Sequence, residues 1–520
     1  MLKILFVYKQ VEYIDPMGIM LLSALAKENG HRTYVNVLSD NNLIDSIKEI
    51  KPDVVAYSAK TGEHKYYLDA NEKVKRYDKN IFAIMGGPHT TFFPEVVEKA
   101  GLDAVCIGEG DDAWPEFLEA FANGGNIHNI PNIVTRENRA NNSTPEIRLK
   151  RRDLDSLPYL DRDLFYKTTR LGRFPMRSAM ASRGCPYKCT YCFNRRYNEI
   201  YSGKGKLYNR YGVSRLCAEL KNLKERWPTQ FIKFYDDVFA LRDDEWLIEF
   251  AEVYPKEVGL PFHCLVRADT LTEGMLLKLK KAGIQSISMS IEAGNDYVRE
   301  QILDRGMTRE AMIRGFGLCH KHGVYTFSNT ILALPVRRDV EKEHNLPDAM
   351  GRDIESVDMN IRCRVTFSEF PILFPYPGTK LGQYCIDNGF FDGDYDKLHM
   401  SYSTDSPMNC FTEKEKLMQM NLSFLGLLCV MFPRLRNITI NWLIRLPLTK
   451  LYFLIFYFAK AYLIKTRIYP MKFSLTDFVG NVWYSLSLEW FKRSKEKFHE
   501  EENISSGIQV DSVVSGPKAT

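Results

Sequence analysis

Twice along the chain, short apolar runs of strand length alternate with amphipathic stretches of helix length, and this alternation constrains the fold more than any other feature. From Met1 to about Arg136 the runs "KILFVY", "DVVAYSA", "IFAIMGG" and "LDAVCIGEG" are separated by helical patterns through "GIMLLSALAKENG" and near "YYLDANEKVKRY". Strands joined through helices call for a doubly wound parallel sheet, which predicts a Rossmann-like domain over residues 1–140. The pattern resumes between Phe174 and Phe374. Strand candidates there are "RSAMASRG", "FIKFYDDVF", "PFHCLVRAD", "SISMSIEAG", "VYTFSNTILALP" and "VDMNIRCRVTFSEF". Helices fit between them, as in "GVSRLCAELKNLKERW" and "TEGMLLKLKKAG". Six strand-then-helix units predict a partial (β/α)6 barrel over 174–374, with its chemistry at the carboxyl ends of the strands.

A polar stretch, "TRENRANNSTPEIRLKRRDLDSLPYLDRD", separates the two regions and predicts a linker over 141–173. Beyond the barrel, 375–500 reads as a mainly helical cap and 501–520 as a disordered tail. With 520 residues the chain is too long for one ordinary domain. Its net charge of +5 is small for that length and gives no case for nucleic acid. "MLKILFVYKQ" has too short an apolar run for a signal peptide and reads as a first buried strand, which predicts a cytoplasmic protein with reduced cysteines.

In a doubly wound sheet, ligands sit at the carboxyl ends of the strands. The turns there are "DPMG" (Asp15 to Gly18), "SAKTG" (Ser58 to Gly62), "MGGPH" (Met85 to His89) and "GEG" (Gly108 to Gly110). Glycine permits positive φ and close backbone approach, which suits a large flat ligand over the sheet edge, although each turn taken singly could be only a turn.

The barrel opens on "SRGCPYKCTYCFN", with cysteines at Cys185, Cys189 and Cys192. A closed structural zinc site normally takes four ligands, and nothing downstream supplies a second Cys-x-x-Cys pair. Three thiolates can instead hold three irons of a 4Fe-4S cluster and leave the fourth open to an exogenous chelate. The remaining eight cysteines lie singly in apolar or mixed surroundings and read as core residues.

The Cys-x-x-x-Cys-x-x-Cys spacing at the head of a barrel resembles the signature of the radical S-adenosylmethionine (radical SAM) enzymes. That resemblance implies reductive cleavage of SAM on the open iron to give a 5'-deoxyadenosyl radical. By match to the family's positions, Tyr191, Asp236, Glu292, Arg305 and Asn329 become candidate SAM contacts, with Asp237 the alternative to Asp236. The doubly wound domain ahead of the barrel, with "GGPH", "GEG" and a later "PYPGT" (Pro375 to Thr379), resembles the cobalamin-binding branch of the superfamily. It implies cobalamin contacts at Met17, Gly18, Ser58, Thr61, Gly86, Gly87, Pro88, Gly108, Glu109 and Gly110. None of His31, His64, His89 or His128 lies in an Asp-x-His-x-x-Gly turn, so a lower axial histidine from that motif is not expected. The branch implies cobalamin-dependent methylation of an unactivated carbon. Radical rearrangement or oxidative cyclisation without net methylation is the alternative, and a non-catalytic cobalamin- or cluster-binding regulator is a weaker one. A reducing partner such as flavodoxin or ferredoxin is also implied.

From Lys416 to Thr476 there is no acidic residue, while arginines and lysines interleave with Leu, Ile, Phe, Tyr and Trp442. "LYFLIFYFAKAYLI" is too short for a membrane span. Two readings stay open: a cap whose apolar faces cover the barrel mouth with its cations reaching outward, and peripheral membrane contact through 433–470. If the second holds, a lipid-like or other hydrophobic small-molecule substrate becomes more attractive.

Overall fold

In the computed structural model, the described residues are 1–472, apart from 144, 152, 396–397 and 399–405, together with 479–480 and 483–484. The expected tail at 501–520 and the last part of the expected cap therefore lie outside the described residues. Met1–Met471 form one compact unit.

Six strands make the first sheet: β1 (Lys3–Tyr8), β2 (Arg32–Val37), β3 (Val54–Ser58), β4 (Phe82–Gly86), β5 (Ala104–Cys106) and β6 (Ile133–Thr135). Their order is β2-β1-β3-β4-β5-β6, parallel except for β6, which runs antiparallel to β5. Helices cover both faces, so successive residues of β1 enter different cores: Ile4 and Phe6 join one apolar cluster, Leu5 and Val7 the other. The order reverses between β1 and β3, and there the carboxyl ends of the strands open a crevice.

The second sheet holds β7 (Met176–Ala179), β10 (Phe231–Phe234), β11 (Phe262–Leu265), β12 (Ile284–Ser288), β13 (Tyr325–Asn329) and β14 (Phe367–Glu369). All pairs are parallel, in the order β14-β13-β12-β11-β10-β7, which is the expected partial barrel. Two short strands, β8 (Ser182–Arg183) and β9 (Asn209–Arg210), pair antiparallel beside it. Sequence signals set the helix ends locally. Thr272 accepts a hydrogen bond from Met275 N at the start of helix Glu273–Ala282, and Gly283 (φ +104°) ends it in the left-handed region.

Two expectations need correction. The run "VDMNIR" is helical: Asp348 caps helix Ala349–Arg362 through Gly351 N (2.7 Å), and the strand is confined to Phe367–Glu369. The helix buries a polar face on which Asn360 bonds Thr330 and Ser368, so no apolar stripe announced it. Nor does the end of the helical region cover the barrel mouth. Tyr469 packs on Phe231, the first residue of β10, and Gln285, near the start of β12, donates to Arg467 O (3.0 Å). This segment closes the amino end of the barrel.

Asp353, 3% exposed on helix Ala349–Arg362, accepts from Ala333 N through one carboxylate oxygen, and the other has no partner among the described residues. Burial, opposed by the Ala333 N–H and Arg352, pushes this carboxyl up to about 7. The folded chain thus holds a proton that the unfolded chain releases near 3.8, so stability falls as pH rises between those values. The loss is on the order of 2–4 kcal/mol. Asp353→Asn is expected to raise the unfolding temperature at about pH 8 and to leave it nearly unchanged at about pH 4. Equal shifts at both would contradict the assignment.

Candidate functional site

After β7 the chain turns through β8 to Gly184, whose φ of +83° and approach to Leu207 O (2.3 Å from where a Cβ would stand) exclude any other residue. The cysteine loop begins there and ends where Cys192 starts helix Phe193–Ile200. It is pinned from three sides. Thr190 donates to Leu303 O (2.9 Å) and Ile302 O (2.7 Å), Asn198 donates to Cys185 O (2.8 Å), and Leu381 donates to Thr190 O (3.0 Å). The Arg267 guanidinium lies 3.8 Å from the centre of the Tyr187 ring inside the loop.

Cys189 is buried, and Cys185 and Cys192 are half-buried. Burial pushes the Cys185 thiol up to about 11 and Cys192 to about 12, so metal binding must displace their protons. Among the described residues no three His, Cys, Asp or Glu side chains gather as a single metal ion would require. A cluster that takes one thiolate on each of three irons makes no such demand, so the loop suits it better than a lone zinc.

Three of the expected SAM contacts meet in one buried group. Tyr191 OH donates to Glu292 Oε1 (3.1 Å), Arg305 Nη1 reaches Tyr191 OH, and Arg305 stands 3.7 Å from Glu292. Burial raises the Glu292 carboxyl, and Arg305 opposes that shift. Glu292 itself sits at φ +65°, fixed by its N–H to Asn329 O (3.1 Å) and by Ile331 N to its own carbonyl (2.8 Å). A non-glycine residue held there is the kind of strain that clusters at functional positions. Arg305 Nε is buried without a partner among the described residues, a donor suited to a polar ligand. Asn329 ends β13 on the same side.

The aspartate pair divides otherwise than expected. Asp236 turns away, accepting from Ala181 N (2.9 Å) and Ser182 Oγ (2.5 Å), and so braces the chain ahead of the cysteines. Asp237, also past the end of β10, lines the cavity described next. Of the two, Asp237 lines that cavity and Asp236 does not.

A cavity of about 260 Å³ lies between the carboxyl edge of the first sheet and the residues that flank the cysteine loop; Cys185, Cys189, Cys192, Tyr191, Glu292, Arg305 and Asn329 are not among those that line it. Gly87, Pro88, Gly108 and Glu109 line it from the first domain; Gly184, Asn194 and Asp237 line it from the barrel. Below it, a narrower apolar space of about 60 Å³ is lined by Ser58, Gly86, Gly87 and Gly110 with Phe6, Leu22 and Trp114. The expected cobalamin residues thus reach the two spaces except Met17, Gly18 and Thr61: Gly18 is exposed at a helix start and Thr61 bonds His89 Nδ1 (3.1 Å). Two glycines owe their identity to protein contacts. A Cβ on Gly87 would stand 2.7 Å from Ala59 O, and one on Gly108 would stand 2.1 Å from Tyr201 OH.

Sequence reasoning missed Tyr201. It leaves the helix that follows Cys192 and accepts from Glu109 N (2.8 Å) and Asn132 Nδ2 (3.1 Å), keying the barrel into the "GEG" turn. Arg183 pairs with Asp111 across the same boundary. The "PYPGT" turn also joins the two regions, since Gly378 packs between Phe92 and Arg196. Nothing local marks these residues, because each partner is distant in the chain.

Residues 180–344 match the radical SAM superfamily and residues 7–118 match the B12 binding domain, which together cover more than half of the chain. The chain belongs to the radical SAM superfamily. This radical SAM enzyme carries a cobalamin-binding domain ahead of its barrel, and its cofactors are a 4Fe-4S cluster, SAM and cobalamin. It is 26% identical over 384 residues to an uncharacterised methyltransferase of Pyrococcus horikoshii, covering 72% of this chain and 79% of the relative. It is 26% identical over 293 residues to the hopanoid C-3 methylase of Methylococcus capsulatus, 54% of each. The radical SAM methyltransferase TsrM from Kitasatospora setae, solved with tryptophan and a SAM analogue, shares the fold at a TM-score of 0.59 and 17% identity, over 74% of this chain and 77% of TsrM.

Proposed function

We propose that this enzyme transfers a methyl group from SAM to an unactivated carbon of a small-molecule or lipid-like substrate. One observation carries the reading: the glycine edge of the cobalamin-binding domain and the residues that flank the cysteine loop of the barrel, Gly184 and Phe193, line a single cavity. When bound, the cluster and SAM supply a hydrogen-abstracting radical and cobalamin supplies a methyl carrier. Cys185, Cys189 and Cys192 hold the cluster, and their loop, tied down at Thr190 and Cys185 O, fixes its place without depending on it for folding. Tyr191, Glu292 and Arg305 form a preorganised polar group for SAM, with Asn329 beside it and Asp237 on the wall of the cavity. Gly86, Gly87, Pro88 and Glu109 form the floor for cobalamin, while Tyr201 keeps that floor in register with the loop. Burial raises the carboxyls of Glu109 and Asp237 and lowers Lys150, so the cavity walls favour neutral forms and a dry interior.

Relatives named as methyltransferases support methyl transfer, the hopanoid C-3 methylase and a cytidylyl-2-hydroxyethylphosphonate methyltransferase of Streptomyces wedmorensis among them. Others are named anaerobic magnesium-protoporphyrin IX monomethyl ester cyclases, which keeps ring closure as the second reading. The test is SAM labelled in its methyl group, incubated with the reduced holoenzyme and a cell extract. Label in an extractable product supports transfer; 5'-deoxyadenosine formed with no label transferred sinks it. The electron comes from an external carrier such as flavodoxin or ferredoxin.

We further infer peripheral contact of 433–470 with a membrane surface. Phe432, Trp442, Phe458 and Tyr462 are 52–72% exposed. Leu435, Ile438, Leu446, Leu451 and Leu454 are exposed around them. Arg434 and Lys450 add positive charge, whereas Arg436 and Lys460 are engaged by Asp358 and Glu369. Aromatic and basic groups together suit an anionic lipid surface. No helix among the described residues is long and apolar enough to cross a membrane. Trp442→Ser with Phe458→Ser is expected to lower co-sedimentation with phosphatidylglycerol vesicles about tenfold. Unchanged sedimentation would remove the contact.

A further inference from the structure

The segment that the sequence reads as a linker returns to the cavity between the two domains, where Lys150, Arg151 and Leu154 line it. Arg151 is engaged by Asp112 (3.1 Å through Nε), and Leu154 is buried in the core. Lys150 is held in place but not engaged. Its N–H donates to Lys204 O (2.7 Å), and its stem packs on Gly205, where an added Cβ would stand 2.9 Å from Lys150 Cβ. The side chain is folded in, with the residue 9% exposed, so that Nζ lies 4.9 Å from the centre of the Tyr197 ring and 5.0 Å from that of Tyr201. Among the described residues the ammonium makes no hydrogen bond or ion pair.

N–H donors without an acceptor are costly in a buried place, and the two ring contacts offset only part of that cost. Burial lowers the amine, and Glu109 and Asp237, both on the cavity wall, oppose the shift. These two acids decide what kind of acceptor suits Lys150. Burial already disfavours charge on each of them, and an anionic ligand would disfavour it further, whereas a neutral carbonyl oxygen accepts from the ammonium without that repulsion. The surroundings decide which carbonyl. Tyr201, one of the two rings beside the ammonium, accepts from Glu109 N (2.8 Å), and Glu109 belongs with Gly87, Pro88 and Gly108 to the edge proposed for cobalamin. The corrin ring of cobalamin carries amide side chains round its rim, each with a neutral carbonyl acceptor and an NH2 donor. The first suits Lys150 and the second suits Glu109.

We propose that Lys150 is a cobalamin-binding residue that donates to a peripheral amide carbonyl of the corrin ring. The segment between the two domains thereby supplies a contact to the rim of the cofactor as well as a covalent connection. This inference rests on the proposed function in placing cobalamin along the glycine edge.

The test is anaerobic equilibrium dialysis of the full-length protein, its cluster reconstituted, against hydroxocobalamin and against cobinamide, which keeps the ring amides and lacks the nucleotide. Lys150→Met keeps the stem and removes the donor. It is expected to raise Kd about tenfold for both corrins, the scale of one charge-assisted contact, with an unchanged circular dichroism spectrum. An unchanged Kd in this variant would overturn the proposal. A loss seen with hydroxocobalamin but not with cobinamide would move the contact to the nucleotide phosphate and overturn the amide assignment. A second measurement needs no substitution: N-hydroxysuccinimidyl acetate transfers its acetyl group to an accessible amine, releasing N-hydroxysuccinimide, and peptide mass reads each lysine. Bound hydroxocobalamin is expected to protect Lys150 and to leave the exposed Lys188 as it was. Equal labelling of Lys150 with and without hydroxocobalamin would also overturn the proposal. The unsubstituted protein separates the two readings: no retained corrin there would overturn both, whereas equal retention with and without Lys150 overturns this one and leaves cobalamin-dependent methyl transfer standing.

Discussion

Replacing Cys185, Cys189 and Cys192 together with alanine is expected to give a folded protein that reconstitutes anaerobically with almost no iron and no brown absorbance. The fold survives because the loop is held by hydrogen bonds that the sulfurs do not make: Thr190 to Ile302 O and Leu303 O, the Asn198 side chain to Cys185 O, and Leu381 N to Thr190 O. The cluster does not survive, because the other cysteines lack a comparable grouping. Cys217, Cys264, Cys319 and Cys363 are buried, and burial raises each of their thiols above the usual range. Iron and acid-labile sulfide analysis reads the outcome, with circular dichroism as the folding control. A full iron complement in the variant would refute the ligand assignment.

Arg305→Met is expected to have the second large effect, on two separable quantities. Arg305 is the cation that opposes the burial of Glu292, and its removal leaves a carboxylate in a buried site without a counter-charge. Breaking such a pair costs about 3–5 kcal/mol. Arg305 also donates to Ser290 O and reaches Tyr191 OH, so the polar group loses its shape as well as its charge. SAM affinity should fall more than about tenfold, the equivalent of one lost charge-assisted contact. The double variant Glu292→Met with Arg305→Met removes both charges and should recover much of the stability while still failing to bind SAM. Recovery of SAM binding with stability would make the group a structural ion pair and remove it from the site.

Much of this architecture was legible because two features are local. Buried parallel strands such as "KILFVY" and "FIKFYDDVF" announce themselves by composition, and the cysteine spacing is read within thirteen residues. What escaped is either weakly apolar or distant in sequence. β2, "RTYVNV", went unnoticed because Arg32, Thr33 and Asn36 dilute the pattern of an edge strand. "VDMNIR" looked extended because its helix buries polar residues such as Asp353 and Asn360 instead of an apolar stripe. Asp236 and Asp237 both lie past the end of β10, where no strand alternation tells which side chain turns to the cavity. Tyr201 and Lys150 gain their meaning from partners on other helices and turns. Glycine was overread in one respect: Gly87 and Gly108 fit their turns because Ala59 and Tyr201 crowd them, so a bulky substitution there would disturb the protein before it reported on a ligand.

The proposed reaction requires that one chain hold a cluster and a cobalamin on either side of the cavity between its two domains. It is tested most directly by anaerobic reconstitution with iron, sulfide and hydroxocobalamin, followed by gel filtration and quantification of iron, sulfide and extracted corrin. The expected result is cobalamin retained in equimolar amount with the chain beside an intact cluster, with both S-adenosylhomocysteine and 5'-deoxyadenosine formed from SAM on reduction. A chain that keeps its cluster, retains no cobalamin and yields 5'-deoxyadenosine alone would contradict it.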